Sequence, residues 1–346
     1  MIIVFTILLC NPYLTSGDWS NGLGNTIQSS SSLSHQMTEI ITSGREAAKQ
    51  ECAKQFQYDV WSCPVTDFNR KNMMDNRETA FVNAITAAGI AHSVSKDCSK
   101  GSLTSCGCRH KKVRNEDKGS WQWGGCNDNL SYGELISKQL LDLEQVGSVA
   151  KLHNNQVGRI AVKKAMRKQC KCHGMSGSCT LQTCWEQLGD FKHVGRFLKK
   201  QYKRAAKVDL SNGILHKLES RKDNSIVKSV SVNSVTNRGR RTSGTTKEMK
   251  INKRKLVFLQ PSPDYCRLNP KLGYKGAARK TCEVDNDSAE KEDVIRKCSN
   301  LCSSCGLHAR KTVVMVEGKC DCKFNWCCSV TCSTCKKIRV RVTCTH

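Results

Sequence analysis

Apolar residues recur three and four apart over several long stretches of this chain and two apart over a few short ones, which predicts both helices and strands. From Asp75 to Val94, Phe81, Ala84, Ile85, Ala88 and His92 form one stripe, so this stretch predicts a helix with a core-facing side. His92 on that stripe reads as a satisfied core histidine rather than a ligand. Ser43-Gly44-Arg45-Glu46 has capping-box spacing and predicts a helix opening there and running through Ala47, Ala48 and Cys52, with Cys63-Pro64 in its end region. Ser131 to Met166 carries a longer helical pattern through Leu135, Ile136, Leu140, Leu143, Val149, Val157 and Ile160, which Gly147 and Gly158 kink or break. His153-Asn154-Asn155 interrupts its apolar face. Buried amides need partners, so this triplet is expected to fasten the helix to loop backbone. Phe191 to Val208 predicts a basic amphipathic helix with Val194, Phe197, Leu198 and Tyr202 on its apolar side.

The period-two stretches are shorter. Trp121-Gln122-Trp123-Gly124-Gly125-Cys126 predicts a strand entering a tight turn, with both tryptophans on one face and packed in a core. Leu256–Leu259 predicts a short strand, and the alternation in Lys311–Glu317 and Ile338–Val342 predicts twisted hairpins. Between residues 170 and 184 the pattern is set by cysteine and glycine instead: Cys170, Cys172, Cys179 and Cys184 enclose His173-Gly174-Met175-Ser176-Gly177-Ser178. Gly174 and Gly177 favour a tight loop. If Cys172 pairs with Cys179 and Cys170 with Cys184, the stretch is a stapled hairpin with Ser176 held out at its tip.

Composition says where such a hairpin can exist. The chain has 23 cysteines, one of them Cys10 beside the N-terminal apolar run Ile2–Leu9. That run and the small residues Thr15, Ser16 and Gly17 read as a signal peptide, residues 1–17, although it lacks an early Lys or Arg. Its removal leaves an even, dense cysteine set, which reads as a disulfide framework in a secreted chain. Residues 18–40 are Ser-rich and read as a loose lead-in. The formal charge of +26 points to acidic glycans or anionic surfaces outside the cell, before nucleic acid. Part of that charge lies in 209–255, which has neither Cys nor aromatic residues and reads as a mobile basic linker. Arg238-Gly239-Arg240-Arg241 and Lys253-Arg254-Lys255 in it are candidate glycan contacts or protease sites.

Residues 266–346 hold twelve cysteines, so their stability is expected from disulfides rather than a large core. Cys320-Asp321-Cys322-Lys323-Phe324-Asn325-Trp326-Cys327-Cys328 reads as a hairpin tip. Adjacent Cys327 and Cys328 could form a vicinal disulfide, and Phe324 and Trp326 have few hydrophobes to pack on, which marks a binding tip. Two other chemistries compete. Gly174-Met175-Ser176-Gly177-Ser178 approaches the nucleophile elbow of hydrolases, with His173 as base, but has Ser178 where the last Gly belongs and offers no acidic partner. Cys302-x-x-Cys305, Cys320-x-Cys322 and Cys332-x-x-Cys335 would suit zinc in a reducing compartment. A matrix protein that only binds glycans would explain the charge and leave the loop around Ser176 unexplained.

Together, Arg77-Glu78-Thr79-Ala80-Phe81, Trp121 to Cys126, Leu152-His153-Asn154-Asn155, Cys170 to Trp185, Ser262-Pro263-Asp264-Tyr265-Cys266 and Cys320 to Cys328 carry a family resemblance. The chain resembles the Wnt family of secreted lipid-modified signalling proteins, most like its eighth vertebrate subgroup. The resemblance implies a disulfide-rich α+β fold. A helical N-terminal domain with stapled hairpins (18–208, with a lipidated thumb at 170–184) precedes the linker 209–255. A small cystine-knot-like β-hairpin domain (256–346) follows, with a finger tip at 320–332. It implies the pairs Cys52–Cys63, Cys98–Cys106, Cys108–Cys126, Cys170–Cys184 and Cys172–Cys179. In the second domain it implies Cys266–Cys305, Cys282–Cys298, Cys302–Cys344, Cys320–Cys335, Cys322–Cys332 and Cys327–Cys328. It implies a palmitoleoyl ester on Ser176, attached by the acyltransferase Porcupine, and export by the carrier Wntless. Frizzled receptors would be contacted through His173 and Met175 and through Phe324, Trp326, Cys327 and Cys328, with a lipoprotein-receptor-related coreceptor recruited. No catalytic site, cofactor or metal is implied. The expected location is outside the cell, in the matrix and at the cell surface, with heparan sulfate as a charge partner and no nucleic acid. Asp97 stands where many relatives have a glycosylated Asn, which leaves Asn129 and Asn286 as the two sequon asparagines.

Overall fold

The structure is a computed structural model that describes residues 35–69, 74–109, 121–143, 145, 148–211, 214–217, 251–326 and 329–346. The expected signal peptide, most of the expected linker and the Cys327–Cys328 pair lie outside the described residues.

The helical part is built around one helix. α1 (His35–Gln55) and the short α2 (Thr66–Asn69) precede α3 (Arg77–Lys100), and α4 (Leu130–Asp142), α5 (Val149–Lys164) and α6 (Phe191–Lys203) follow. α3 is entered through Asn76, whose side chain accepts from Thr79 N at 2.9 Å, and leaves through Gly101 in the left-handed conformation. It is buried on nearly every side, with Ala80, Ala84, Ala87, Ala88 and Ala91 letting its neighbours approach. The expected stripe was too narrow, because α1, α4, α5 and α6 all pack on α3.

α1 begins before the predicted capping box. Ser43 and Glu46 lie inside it, and His35 to Ile40, expected as loose lead-in, are its first turns, with Met37 buried. Gly44 has a packing role instead: a Cβ there would lie 2.7 Å from the Gly89 carbonyl oxygen, so two glycines let α1 and α3 cross in backbone contact. The long pattern from Ser131 to Met166 is two helices. The break falls between Asp142 and Val149, and Gly158 lies within α5, against the backbone of Ala84. Leu135 and Leu143 are exposed. Asn155 Nδ2 donates to Asp142 Oδ1 and Gln145 Oε1, both at 3.1 Å, and Arg159 grips Asp142 with two bonds at 2.9 and 3.2 Å, fixing the break.

The strands form three small sheets. In the first, β1 (Trp121–Trp123) runs parallel to β3 (Gln182–Leu188), which pairs antiparallel with β2 (Met166–Cys172). In the second, β4 (Ala206–Ser211) lies between β5 (Ile214–Lys217) and β6 (Val257–Phe258). The expected helix to Val208 therefore ends at Lys203, and the expected linker from 209 starts inside a strand. β6 is the short strand expected at 256–259. Its Val257 exchanges two hydrogen bonds with the Asn154 side chain, at 2.9 and 3.0 Å, and the His153 ring binds Lys255 O at 2.8 Å. The triplet thus fastens α5 to loop and strand backbone as expected for His153 and Asn154, while Asn155 meets side chains.

The third sheet, β7 (Thr281–Asp285), β9 (Ser329–Thr345) and β8 (His308–Asn325), carries α7 (Lys291–Ser304) on one face. Val294, Ile295 and Cys298 of α7 pack on Val340, Val342 and Cys282. The sequence reading left out α7, whose buried face is Val294, Ile295, Cys298, Leu301 and Cys302 at helical spacing. The loop after α1 joins the two parts. Trp61 Nε1 donates to Asp67 Oδ2 at 2.8 Å, Tyr274 OH donates to the same carboxylate, and Tyr58 and Val60 pack on the C-terminal clusters.

Candidate functional site

In the hairpin β2–β3, Cys170 and Cys184 stand directly opposite and are bonded, and Cys172–Cys179 closes the loop beyond. The two cystines leave the tip little freedom. His173 N donates to Leu181 O at 2.7 Å, Gly174 N to Ser178 O at 2.9 Å, Gly177 N to Gly174 O at 3.0 Å and Ser178 N to Met175 O at 3.1 Å. These bonds wind Met175–Gly177 into a single tight turn. Ser176 sits at φ 56° and ψ 27° and Gly177 at φ 76°, so the chain turns left-handed at two successive residues. His173, Ser176 and Ser178 are exposed, and Met175 is 92% exposed.

The foot of the hairpin is as firmly held as its tip is bare. Asn127 Oδ1 accepts from Glu186 N and Asp128 Oδ2 from Leu188 N, both at 2.6 Å, and Gly124 N donates to Cys184 O at 3.0 Å. Asp128 is also reached by Ser99 of α3. The His92 ring nitrogen donates to Gly189 O at 3.0 Å, and burial pushes its pKa down, which keeps the ring neutral. His92 is thus a core residue that ties the hairpin to α3. Asn127 and Asp128 are the positioning residues that sequence reading missed. The only signal was two short polar side chains directly after a Gly-Gly-Cys turn.

The second exposed feature is the end of the β8–β9 hairpin. Cys320–Cys335 and Cys322–Cys332 cross-link it, with a register shift between Cys320 and Lys323. Phe324 pairs with Val330, and both are exposed; Phe324 is 71% exposed and Trp326, just past the strand, is 97% exposed. The structure places this tip and the Ser176 tip on separate hairpins, one from each part of the chain.

The remaining described cysteines pair as Cys52–Cys63, Cys98–Cys106, Cys108–Cys126, Cys266–Cys305, Cys282–Cys298 and Cys302–Cys344. Each candidate zinc motif is therefore split: Cys302 and Cys305 bond to Cys344 and Cys266, and Cys320 and Cys322 to Cys335 and Cys332. No thiolate is left in them to ligate a metal. The hydrogen bonds of the Ser176 tip are backbone bonds and a Ser178–Thr180 hydroxyl contact, so among the described residues no carboxylate orients His173 as a base. Asn129 caps α4 through Tyr132 N and donates to Gly107 O at 3.0 Å, whereas Asn286 lies in the turn after β7. Trp121 and Trp123 are described in their backbone alone. Among the described residues no helix is long and apolar enough to cross a membrane.

Known proteins agree with this arrangement. The family model described as the wnt family matches residues 20–345. Protein Wnt-8b of Danio rerio is 39% identical over 88% of this chain and 81% of its own length, and Protein Wnt-8a of Mus musculus is 34% identical over 98% and 92%. Among solved structures, a chain from a complex of human WLS with WNT8A superposes with a TM-score of 0.64 at 31% identity, covering 93% of this chain and 99% of that one. A doubly stapled hairpin with a bare serine, a cross-linked finger and a match along nearly the whole chain make this protein a member of the Wnt family, whose members are secreted signalling ligands and not enzymes.

Proposed function

We propose that this chain is a lipid-modified Wnt ligand that carries a palmitoleoyl ester on Ser176. Frizzled cysteine-rich domains are bound by that acyl chain and by the finger tip, and a lipoprotein-receptor-related coreceptor joins them. The observation that carries the reading is the exposed Ser176 at the end of a rigid, doubly stapled hairpin, with its hydroxyl accessible to an acyltransferase of the Porcupine type. Burying an acyl chain is worth ~0.8 kcal/mol per methylene, so about a dozen methylenes give roughly 10 kcal/mol gross. No side chain at the tip matches that. A single chain binds membrane only reversibly, which suits handover from a carrier to a receptor. Wntless is the carrier expected here, since a WNT8A chain in complex with WLS is among the similar structures. His173 and Met175 flank the ester and contact the rim of the receptor groove. Asn129 and Asn286 are the expected glycan acceptors, and heparan sulfate holds the basic protein in the matrix and at the cell surface.

The test is intact-peptide mass spectrometry of residues 170–184 from secreted protein, handled without base. A mono-unsaturated sixteen-carbon ester on Ser176 is expected. Ser176→Ala should keep both cystines and lose secretion or Frizzled activation. An unmodified Ser176 peptide, or wild-type signalling by the Ala variant, would end the proposal, and an ester on Ser178 would move the site.

A further inference from the structure

Three helices converge on the loop that joins the two parts of the chain. α1 brings Lys54 in its last turn, α6 brings Lys199 and Lys203, and α7 brings Lys297, Asn300 and Ser304. With Tyr58 and Asp59 of the loop they line a groove of about 550 Å³, a volume within the usual range of ligand sites. Four lysines therefore share one concavity with a single lining carboxylate. Asp59 is already in contact with Lys199, whose ammonium also lies 3.2 Å from the centre of the Phe56 ring. Lys297 touches Asp293 and stands 5.8 Å from the Tyr58 ring.

Helix dipoles explain part of this crowding. Lys54 and Lys203 lie in last turns, where the carbonyl ends favour cations. They do not explain Lys297, which reaches the groove from the C-terminal part. Nor do they explain the position of Lys199: burial, and after it the charge on Lys203, push its ammonium down to about 7 even with Asp59 against it. A concave wall of like charges concentrates the field and draws in a polyanion.

We propose that this groove seats a sulfated sugar of an extracellular glycan chain, and that the seated chain clamps the helical part to the C-terminal part. This rests on the glycan-binding reading above and moves the principal contact from residues 209–255 to a built groove. Lys54, Lys203 and Lys297 meet sulfate groups, while Asn300 and Ser304 hydrogen-bond the sugar. The occupant is a glycan because the family is secreted and the groove's cations are spread over two parts of the fold, which suits a chain with sulfates at intervals. A ligand that binds only the joined parts stabilises the folded chain by linkage.

The experiment uses the full secreted chain, a heparin column and a size-defined heparin hexasaccharide. Wild type should bind both, and its melting temperature should rise with the hexasaccharide. The variant Lys54→Ala/Lys203→Ala/Lys297→Ala, which keeps Lys199 on Phe56, should lose affinity about tenfold and lose that rise. Arg238→Ala/Arg240→Ala/Arg241→Ala should keep both. Should the triple variant fold poorly, Lys297→Gln alone leaves α1 and α6 intact and should weaken binding about threefold. Wild-type protein that binds neither probe at near-physiological salt overturns the glycan reading itself. Wild-type binding with an unchanged groove variant, or an unchanged Lys297→Gln, overturns the groove while the glycan reading stands.

Discussion

Ser176 takes a backbone conformation that costs an L-residue about 1–2 kcal/mol, and the two cystines behind it hold it there. The neighbouring glycines do different work, which a pair of substitutions separates. Gly177 also has positive φ, yet a Cβ on it would meet nothing within 4 Å. Gly177→Ala should therefore cost about 1 kcal/mol of local strain and leave most secreted protein acylated. Gly174 has ordinary φ, but its Cβ would lie 2.5 Å from the Ser178 carbonyl oxygen and against two hydroxyls. Gly174→Ala should displace the tip and strongly lower the acylated fraction, read from the 170–184 peptide by mass spectrometry. Equal acylation of both variants would contradict this. Asn154 offers a second test at this scale. Asn154→Ala leaves Val257 N–H and C=O unpaired in a buried site and should cost about 2–4 kcal/mol, measured as a shift in the denaturant midpoint. Its fastening role was legible because an amide on an apolar helical face must find partners. Asn127 and Asp128 were not, because their partners are backbone groups some 60 residues away in sequence.

Among the elements, the stapled hairpin was the most legible, since its glycines favour a tight loop and the family resemblance supplied the cysteine pairing that spacing left open. The helices were legible in existence and less so in extent. Ser43 and Glu46 imitate a helix start, but Gly44 belongs to the crossing with Gly89, a contact no local pattern encodes. α7 was missed although Val294, Ile295 and Leu301 recur at helical spacing with Cys298 and Cys302 completing the stripe, because its cysteines read as disulfide partners rather than as packing positions. At the finger, scarcity of hydrophobes correctly suggested exposure of Phe324 and Trp326. Such exposure separates binding from folding. Trp326→Ala should change stability by no more than about 0.5 kcal/mol, as for other surface positions, while weakening Frizzled binding by ~2 kcal/mol or more. Secreted, Ser176-acylated Trp326→Ala measured against several Frizzled cysteine-rich domains decides it. Wild-type affinity for all of them would remove the finger from recognition, and loss of secretion would show that Trp326 supports folding instead.

The whole molecule is tied together by contacts between parts distant in sequence, and two of these ties are histidines. His92 holds the foot of the Ser176 hairpin at Gly189, and His153 holds the chain at Lys255, where β6 begins. A carbonyl can only accept, so each ring donates from Nε2. Burial pushes both pKa values down, with the backbone bond opposing it in each case. The folded state therefore resists protonation that the unfolded chain accepts near pH 6.5. The histidine contribution is complete above that value. It drains away as pH falls below it, by up to ~1.4 kcal/mol per pH unit for each ring until the folded ring itself takes up the proton. Asp75 and Glu134 act in the opposite sense, because burial raises their carboxyl pKa values and makes their neutral forms welcome in the fold. Their effect belongs to more acid conditions. Lys199, pushed down to about 7 by burial, also titrates between pH 7.5 and pH 5.5, so the histidines are isolated by their variants rather than by the pH change alone. Wild type should lose denaturant stability between the two. His92→Gln, which keeps a donor for Gly189 O and cannot titrate, should start less stable at pH 7.5 and lose less on acidification. His153→Gln should flatten the response in the same direction. An equal loss in wild type and in both variants would place the acid sensitivity elsewhere, and no loss in wild type would mean that both rings stay as protonatable in the fold as in the open chain.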